Sequence, residues 1–146
     1  MCLVIHTQDR LEYTFFPVHK GFVQFTVTAP NDAHIALTTG PAVSNPMYEI
    51  ILGGWENTKS TLRRDRQKPT RVQVYTPNLL SGTEERKFWI KCNHGHIQVG
   101  QGGHHHPFMV YIDPEPFHVH HFGICTGWGA TGMWKIPGNY YFHGVT

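Results

Sequence analysis

The sequence predicts an all-β protein, an antiparallel β-sandwich or jelly roll built from a single domain of residues 1–146. Short segments rich in β-branched and aromatic residues recur along the chain, separated by Gly, Pro, Asn or Asp. No window has the periodicity of a long amphipathic helix. With 146 residues, 13% aromatic and 15% charged, the chain can bury a sizeable core and has the composition of a folded protein.

Eleven segments have strand character, and so many short strands in one domain are typical of two sheets packed face to face. They cover residues 11–16, 22–28, 33–38, 47–52, 58–62, 71–75, 86–92, 96–99, 108–112, 118–126 and 132–136. Residues 79–87 contain Ser81 ahead of Glu84, like a capping box, but the preceding Pro77 and Asn78 favour a loop with at most one turn.

The strands predicted at 33–38 and 47–52 differ in pattern. Apolar and polar residues alternate in the first strand, as expected when one face is apolar, whereas 48–52 is a nearly continuous apolar run that suits a more deeply buried strand. Gly53-Gly54 ends the run and allows positive φ or a close backbone approach. We therefore expect Trp55, Glu56 and Asn57 on a turn or bulge at the end of the sheet. The alternative is that Trp55 caps the core and Asn57 bonds its own turn backbone.

Residues 87–99 have the pattern of a hairpin. Asn93-His94-Gly95 forms the predicted turn, and Phe88, Ile90 and Cys92 alternate with Trp89 and Lys91. Because Trp89 shares its face with Lys91, we expect it to be partly exposed.

Composition excludes several classes of function. Twelve Lys and Arg against ten Asp and Glu give a net charge of +2, too balanced to indicate a nucleic-acid partner, and the basic cluster at 63–68 is typical of a solvated loop.

No segment approaches the ~20 apolar residues of a membrane-spanning helix, so no membrane insertion is expected. The N-terminus lacks signal-peptide features, which fits a cytosolic protein, a mature secreted form or another export route. The three cysteines, Cys2, Cys92 and Cys125, allow at most one internal disulfide, and buried free thiols suit the latter two.

Three segments carry a family resemblance: NDAHIALTTGPAVSNPMYEIILGGWENTKSTLRR at 31–64, FWIKCNHGHIQVG at 88–100 and GICTGWGATGMWKI at 123–136. Together they resemble the farnesoic acid O-methyltransferase-like domain of invertebrate proteins, over about residues 20–137. The most specific matches include Asn31–Leu37, Gly53-Gly54-Trp55, Asn57 and Arg63.

The family name implies methyl transfer from S-adenosylmethionine to a carboxylate. The usual methyltransferase binds its cofactor where a parallel strand meets a glycine-rich turn and a helix. The chain matches Gly-x-Gly-x-x-Gly only at 127–132, which is followed by MWKIPG instead of a helix, so we interpret it as a β loop. The resemblance also includes modules of secreted and multidomain proteins, some of them lectin-like, and this favours an extracellular location.

A lectin site on a β-sandwich needs aromatic faces for the C–H side of a sugar and polar groups for its hydroxyls. The candidate ligand-binding residues are Asp32, His34, Trp55, Glu56, Asn57, Arg63, Arg64, Trp89 and Trp128. Asp32 would accept hydroxyl hydrogen bonds beside His34, or else form an Asx-turn. Arg63 and Arg64 alternate faces, and Arg63 could instead pair with Glu49 or Asp32 inside the domain.

Twelve histidines raise the question of a metal site. His94/His96 and His118/His120 have the i, i+2 spacing that cupin-type enzymes use on a strand, but the carboxylate that should follow is absent from both. His104-His105-His106 lies in a loop and indicates a surface run. We therefore expect neither a metal nor another cofactor.

These observations predict a carbohydrate-binding protein without catalysis, whose partners are glycans or glycoproteins and which gains avidity as a homo-oligomer. Two alternatives stay open. One is an enzyme, either a methyltransferase or a metal-dependent jelly roll using the histidine pairs. The other is a protein–protein interaction module that uses the exposed aromatics.

Overall fold

The computed structural model describes residues 2–66 and 69–138, in which the regular secondary structure is almost entirely strand. The strands are β1 Cys2–Thr7, β2 Arg10–Pro17, β3 Phe22–Thr28, β4 Ala33–Thr38, β5 Met47–Gly53, β6 Lys59–Arg64, β7 Thr70–Tyr75, β8 Arg86–Asn93, β9 His96–Gln101, β10 Met109–Ile112, β11 His121–Thr126 and β12 Gly132–Pro137. One helical turn, α1 (Gly54–Asn57), connects β5 to β6. None of the helical structure in the described residues has the length and hydropathy to cross a bilayer.

The strands form two antiparallel sheets, which confirms the predicted fold class. One sheet has the order β1-β12-β3-β8-β9-β10 and the other the order β11-β4-β5-β6-β7. Strand β2 runs beside β11 in the opposite direction: Leu11 lies against Gly127, and Phe15 lies against Gly123.

The core lies between the two sheets and is built from residues that alternate along each strand. In β3, Val23, Phe25 and Val27 are buried while the residues between them are only partly covered. The Phe25 ring lies 5.9 Å from that of Phe88 and 5.3 Å from that of Trp134. Deleting a buried ring of this kind costs roughly 3–5 kcal/mol, so this aromatic cluster contributes strongly to the stability of the sandwich.

Strands β4 and β5 are exceptional because every one of their residues is buried. One face of these strands contacts the core, and β2 covers part of the other. Gly123, Ala36 and Glu49 form one cross-strand row on this outer face. The small residues leave room for Tyr13 of β2, whose hydroxyl donates to Glu49 Oε2 at 2.6 Å. Side chains of β2 therefore cover part of the outer face of the five-stranded sheet.

The structure corrects two expectations about strands. Residues 2–7 were not predicted as a strand, yet they form β1 at a sheet edge, where Val4 is 48% exposed and apolar residues on both faces blur the alternation. The strand expected at 118–126 begins only at His121. Just before it, the Phe117 ring stacks on the Tyr48 ring at 4.6 Å, so the preceding segment folds over the end of the core instead of extending the strand.

A buried carboxylate fastens the β10–β11 loop to the five-stranded sheet. Asp113 Oδ2 accepts hydrogen bonds from the Tyr48 hydroxyl at 2.6 Å and from Arg64 Nε at 2.8 Å, and Oδ1 accepts one from the Glu115 N–H at 2.9 Å. Burial opposes ionisation of Asp113, but these three hydrogen bonds outweigh it and hold its pKa below the ordinary value.

We predict that Asp113→Asn lowers the free energy of unfolding at pH 7 by about 1–3 kcal/mol, because a charge-assisted bond is weakened at a buried site. A depressed pKa stabilises the fold above the unfolded-state value near 4, and this stabilisation disappears as the pH falls through the folded-state pKa. The difference in free energy of unfolding between the native protein and the variant should therefore become smaller below about pH 4, as measured by urea unfolding. Glu84→Gln, which removes an exposed carboxylate paired with Arg86, is the control. A difference that stays constant down to pH 3 would contradict the assignment.

Candidate functional site

A groove of about 890 Å³ lies at the end of the sandwich where β4 begins and β5 ends. We call it the tryptophan groove, after Trp55 and Trp128. Its lining residues come from the sheet, from the β3–β4 loop and from the turns after β5 and β11: Leu11, Pro30, Asn31, Asp32, His34, Glu49, Ile51, Trp55, Glu56, Arg63, Arg66 and Trp128.

Six of the nine candidate residues predicted from the sequence meet in this groove. They are Asp32, His34, Trp55, Glu56, Arg63 and Trp128. They come from four separate parts of the chain, so their convergence depends on the fold and not on proximity in sequence.

The floor of the groove is the outer face of the five-stranded sheet. His34 and Ile51 occupy one cross-strand row, and Glu49 and Arg63 occupy the next. Because side chains alternate along a strand, these four point away from the core.

A buried contact between an imidazole and a carboxylate closes one end of the floor. His34 Nε2 lies 3.0 Å from Asp32 Oδ2, and both side chains are at most 7% exposed. Asn31 Nδ2 donates to Asp32 Oδ1 at 3.0 Å and to the Trp128 carbonyl at 3.2 Å, which ties the two loops together. The sequence placed Asp32 beside His34 but did not predict this direct contact between their side chains.

A second buried carboxylate, Glu49, is neutralised by several neighbours. Besides the Tyr13 hydroxyl, Arg63 Nη1 lies 3.7 Å from Oε1 and Arg66 Nε lies 4.0 Å from Oε2. This confirms the pairing of Arg63 with Glu49 that the sequence left open. Burial and the adjacent Glu49 raise the pKa of Tyr13 well above its ordinary range, so Tyr13 remains a hydrogen-bond donor.

The turn after β5 is wound in the left-handed direction. Trp55, Glu56 and Asn57 have φ values of 49°, 59° and 62°, and Gly53 before them has φ 62°. Such a conformation costs a non-glycine residue roughly 1–2 kcal/mol. The turn predicted at this place is confirmed, and its strained form is an addition that sequence did not reveal.

Hydrogen bonds from outside the turn hold this conformation. The Asn57 side chain donates to the Leu80 carbonyl at 2.8 Å and accepts from the Leu80 N–H at 3.0 Å. The Thr58 hydroxyl donates to the Trp55 carbonyl at 2.6 Å. Asn57 thus bonds the β7–β8 loop instead of its own turn, and its amide lies behind the groove.

The strained turn presents its tryptophan to solvent. Trp55 is 45% exposed, with Lys59 Nζ 5.5 Å from its ring centroid, so it does not act as a cap buried in the core. Trp128, on the loop after β11, is 75% exposed and also has a positive φ of 54°. Two solvent-facing indole rings therefore flank a polar floor.

Two candidate residues lie elsewhere. Arg64 points to the opposite side of its strand from Arg63, as the alternation predicted, and bonds Asp113. Trp89 belongs to the other sheet, where its Nε1 donates to the carbonyls of Gln101 and His104, both at 3.0 Å. Trp89 is partly exposed, as expected, but does not reach the tryptophan groove.

Asn31, Glu49 and Arg66 were not among the ligand-binding residues predicted from the sequence, yet they line the groove. A signal for Glu49 existed, since a carboxylate inside a buried apolar run requires a partner or a function. Arg66 offered none, because it reaches the groove through a bond from Nη2 to the Leu11 carbonyl, 55 residues away in sequence.

The groove contains no activated thiol. Cys125 lies opposite His34 in the β11–β4 register, but burial raises its pKa to about 12, so it is protonated at neutral pH. The three cysteines are free.

The histidine pairs do not have the strand geometry expected from their spacing. His94 is in a turn with φ 48° while His96 opens β9, and His118 and His120 precede β11. In the described part of the chain, no three His, Cys, Asp or Glu side chains converge where a metal ion could bind.

A family model described as farnesoic acid O-methyltransferase matches residues 9–139. No curated protein sequence matches the chain. A β-1,3-1,4-glucanase (lichenase) derived from a mouse hindgut metagenome is similar in structure, with a TM-score of 0.59 and 15% identity over 92% of this chain and 78% of that chain. The catalytic domain of the Thermotoga maritima laminarinase has a TM-score of 0.57 and 14% identity, over 92% and 74%. Sheep galectin-11 has a TM-score of 0.51 and 7% identity, over 82% and 97%. At these identities the likeness shows the fold.

We predict that Asn57→Ala destabilises the protein by about 1 kcal/mol more than Asn57→Gly. Both variants lose the two bonds to Leu80, but only alanine must also adopt positive φ with a β-carbon. Urea unfolding of the two variants measures the difference. If they are equally stable, the left-handed conformation carries no cost at this position.

Proposed function

The chain belongs to the farnesoic acid O-methyltransferase family, and we propose that it is a carbohydrate-binding protein, a lectin that recognises glycans in the tryptophan groove without catalysis. The observation that carries the proposal is the placement of two exposed indole rings beside a rigid polar floor. Trp55 and Trp128 are large apolar side chains that a folded protein normally covers, yet both face the same groove.

The chemistry of the groove suits a sugar. An aromatic face packs against the apolar C–H side of a pyranose ring, while charged and amide groups bond its hydroxyls. Within the described residues, the nearest ionic partner of Arg63 is Glu49 at 3.7 Å, longer than a hydrogen bond, so its N–H groups remain available to a ligand. Glu56 is exposed at the rim, and its carboxylate can accept hydrogen bonds from sugar hydroxyls.

The floor is organised before a ligand arrives. Asp32 contacts His34 and Asn31, and Glu49 accepts a hydrogen bond from Tyr13, so the geometry of both carboxylates is set within the protein. Prearranged groups lose little conformational entropy on binding, which favours recognition by a small, shallow site.

The same bonds argue against hydrolysis. A glycosidase needs one carboxyl group as proton donor and a second as base or nucleophile. Glu49 is already surrounded by donors, and Asp32 is bonded through both oxygens. The fold similarity to glucanases and to a galectin is consistent with a carbohydrate ligand, and the non-catalytic role is our proposal from the state of these carboxylates.

The partners we propose are glycans or glycoproteins. A single shallow site binds weakly, so we infer that the protein acts as a homo-oligomer whose sites engage a branched or clustered glycan together. Light scattering after size-exclusion chromatography would give the number of copies.

We predict that Trp55→Asn and Trp128→Asn each weaken binding of a glycan identified on an array by roughly three- to tenfold, because an aromatic contact contributes about 0.5–1.5 kcal/mol. Asparagine tolerates the positive φ of both positions, so the loss reports the ring and not the backbone. Calorimetry measures the affinity, and Tyr75→Ala, which removes a 73% exposed ring outside the groove, is the control.

We also predict that a metal chelator leaves glycan binding unchanged. Loss of the signal on chelation would point to the histidines, and release of reducing sugar from mixed-linkage glucan or laminarin would show catalysis. If no glycan binds and S-adenosylmethionine does, the family's description as a methyltransferase is to be preferred. Binding of neither ligand would favour a protein–protein interaction module.

A further inference from the structure

A second groove, of about 760 Å³, lies at the opposite end of the sandwich. We call it the lysine groove, after Lys20 and Lys91. Its walls are the β2–β3 loop, the β8–β9 turn and the loop before β11, and Phe22 and Phe117 form half-buried apolar parts of its lining. Strand β3 begins at Phe22 in the lysine groove and ends at Thr28, two residues before Pro30 in the tryptophan groove. The two grooves are therefore separated by the length of this strand.

The charged side chains that line the lysine groove are all basic. Two lysines and two histidines, His94 and His118, belong to its lining, and no Asp or Glu is among the described residues that form it. The His118 ring stacks on that of His120 at 6.0 Å with 16° between the planes. Protonation of these neighbours would place additional positive charges side by side.

The charged and titratable groups nearby do not cancel this charge. On the surrounding elements they are His19, Arg64, Cys92, His96, Tyr48, Asp113, Glu115, His120 and His121. Asp113 is buried and forms an ion pair with Arg64. Burial raises the pKa of Cys92 to about 11, which keeps the thiol neutral. Glu115, whose carbonyl accepts from Arg64 Nη2, is the remaining carboxylate of the loop, and it is exposed to solvent.

We propose that the lysine groove binds the sulfate or carboxylate groups of an anionic polysaccharide, with an affinity that rises as the pH falls from about 7.5 to about 5.5. Ammonium groups without a protein counter-charge attract such anions, and histidine is the side chain that gains charge in this pH interval. A depression between three loops admits a single polymer chain, whereas the plane of a bilayer would contact only its rim. The groove is separate from the tryptophan groove, so this site does not depend on the proposed lectin activity.

Calorimetry of the full chain with a heparin oligosaccharide, at physiological ionic strength and at the two pH values, tests the site directly. The double variant Lys20→Asn/Lys91→Gln should bind about fivefold more weakly at both pH values, as expected for the loss of exposed ion pairs. Asparagine is chosen at position 20 because Lys20 has φ 56°. Lys87→Gln is the matched control, since it removes the same charge from β8 outside the groove.

The pH dependence has its own variants. In His94→Asn/His118→Gln the gain in affinity at low pH should be largely lost, because both side chains are exposed and line the groove, and asparagine tolerates the positive φ of position 94. Replacing His104, His105 and His106 by glutamine should leave that gain intact, since this exposed run does not line the groove. Neutral dextran should not bind to the lysine groove at either pH.

The proposal is overturned if heparin does not bind, if the lysine variant binds heparin as tightly as the native protein, or if affinity is the same at both pH values. It is also overturned if phosphatidylserine vesicles bind in a lysine-dependent manner while heparin does not. Circular dichroism of each variant, compared with the native spectrum and melting profile, separates loss of binding from loss of folding.

Discussion

Burial of β4 and β5 on both faces is the constraint from which the rest of the structure follows. A strand in an antiparallel sandwich usually shows one face to water, but here all residues of β4 and β5 are buried, and β2 covers part of their outer face. Any polar group on that face must then find its partner within the protein. Glu49 requires the Tyr13 hydroxyl and two arginines, and Asp32 requires His34 and Asn31. These contacts order the polar floor of the tryptophan groove.

Hydrogen bonds to the β7–β8 loop and to Thr58 hold the left-handed turn at the end of β5. Three adjacent residues other than glycine hold positive φ, and bonds to Leu80 and Thr58 compensate part of the cost. Asp32 and Trp128 adopt positive φ at the same groove. Strained backbone of this kind persists only where the surroundings determine it, and it is concentrated at sites of function. Lys20 and His94 of the lysine groove also have positive φ, so strained backbone is present at both grooves.

Much of this architecture could be predicted from local patterns. Period-2 alternation, the glycine pair after Leu52 and the hairpin at Asn93-Gly95 predicted strands and turns close to those observed, because they depend on neighbours in sequence. Position 118 was wrong as the start of a strand because ring stacking between Phe117 and Tyr48, a contact across 69 positions, decides the path of the chain there. Six candidate residues meet in the tryptophan groove, whereas Arg64 and Trp89 do not. The local sequence indicates whether a side chain is exposed, but the tertiary fold decides which other residues it lies beside. Arg66 reaches the floor only through tertiary contacts and carried no local signal.

The position of the two grooves at opposite ends of one rigid sheet has a consequence for valence. Strands of six or seven residues span about 20 Å, so the grooves are far enough apart for two different polymers to be held at once without steric conflict. A single copy could then link a glycan in the tryptophan groove to an anionic chain in the lysine groove.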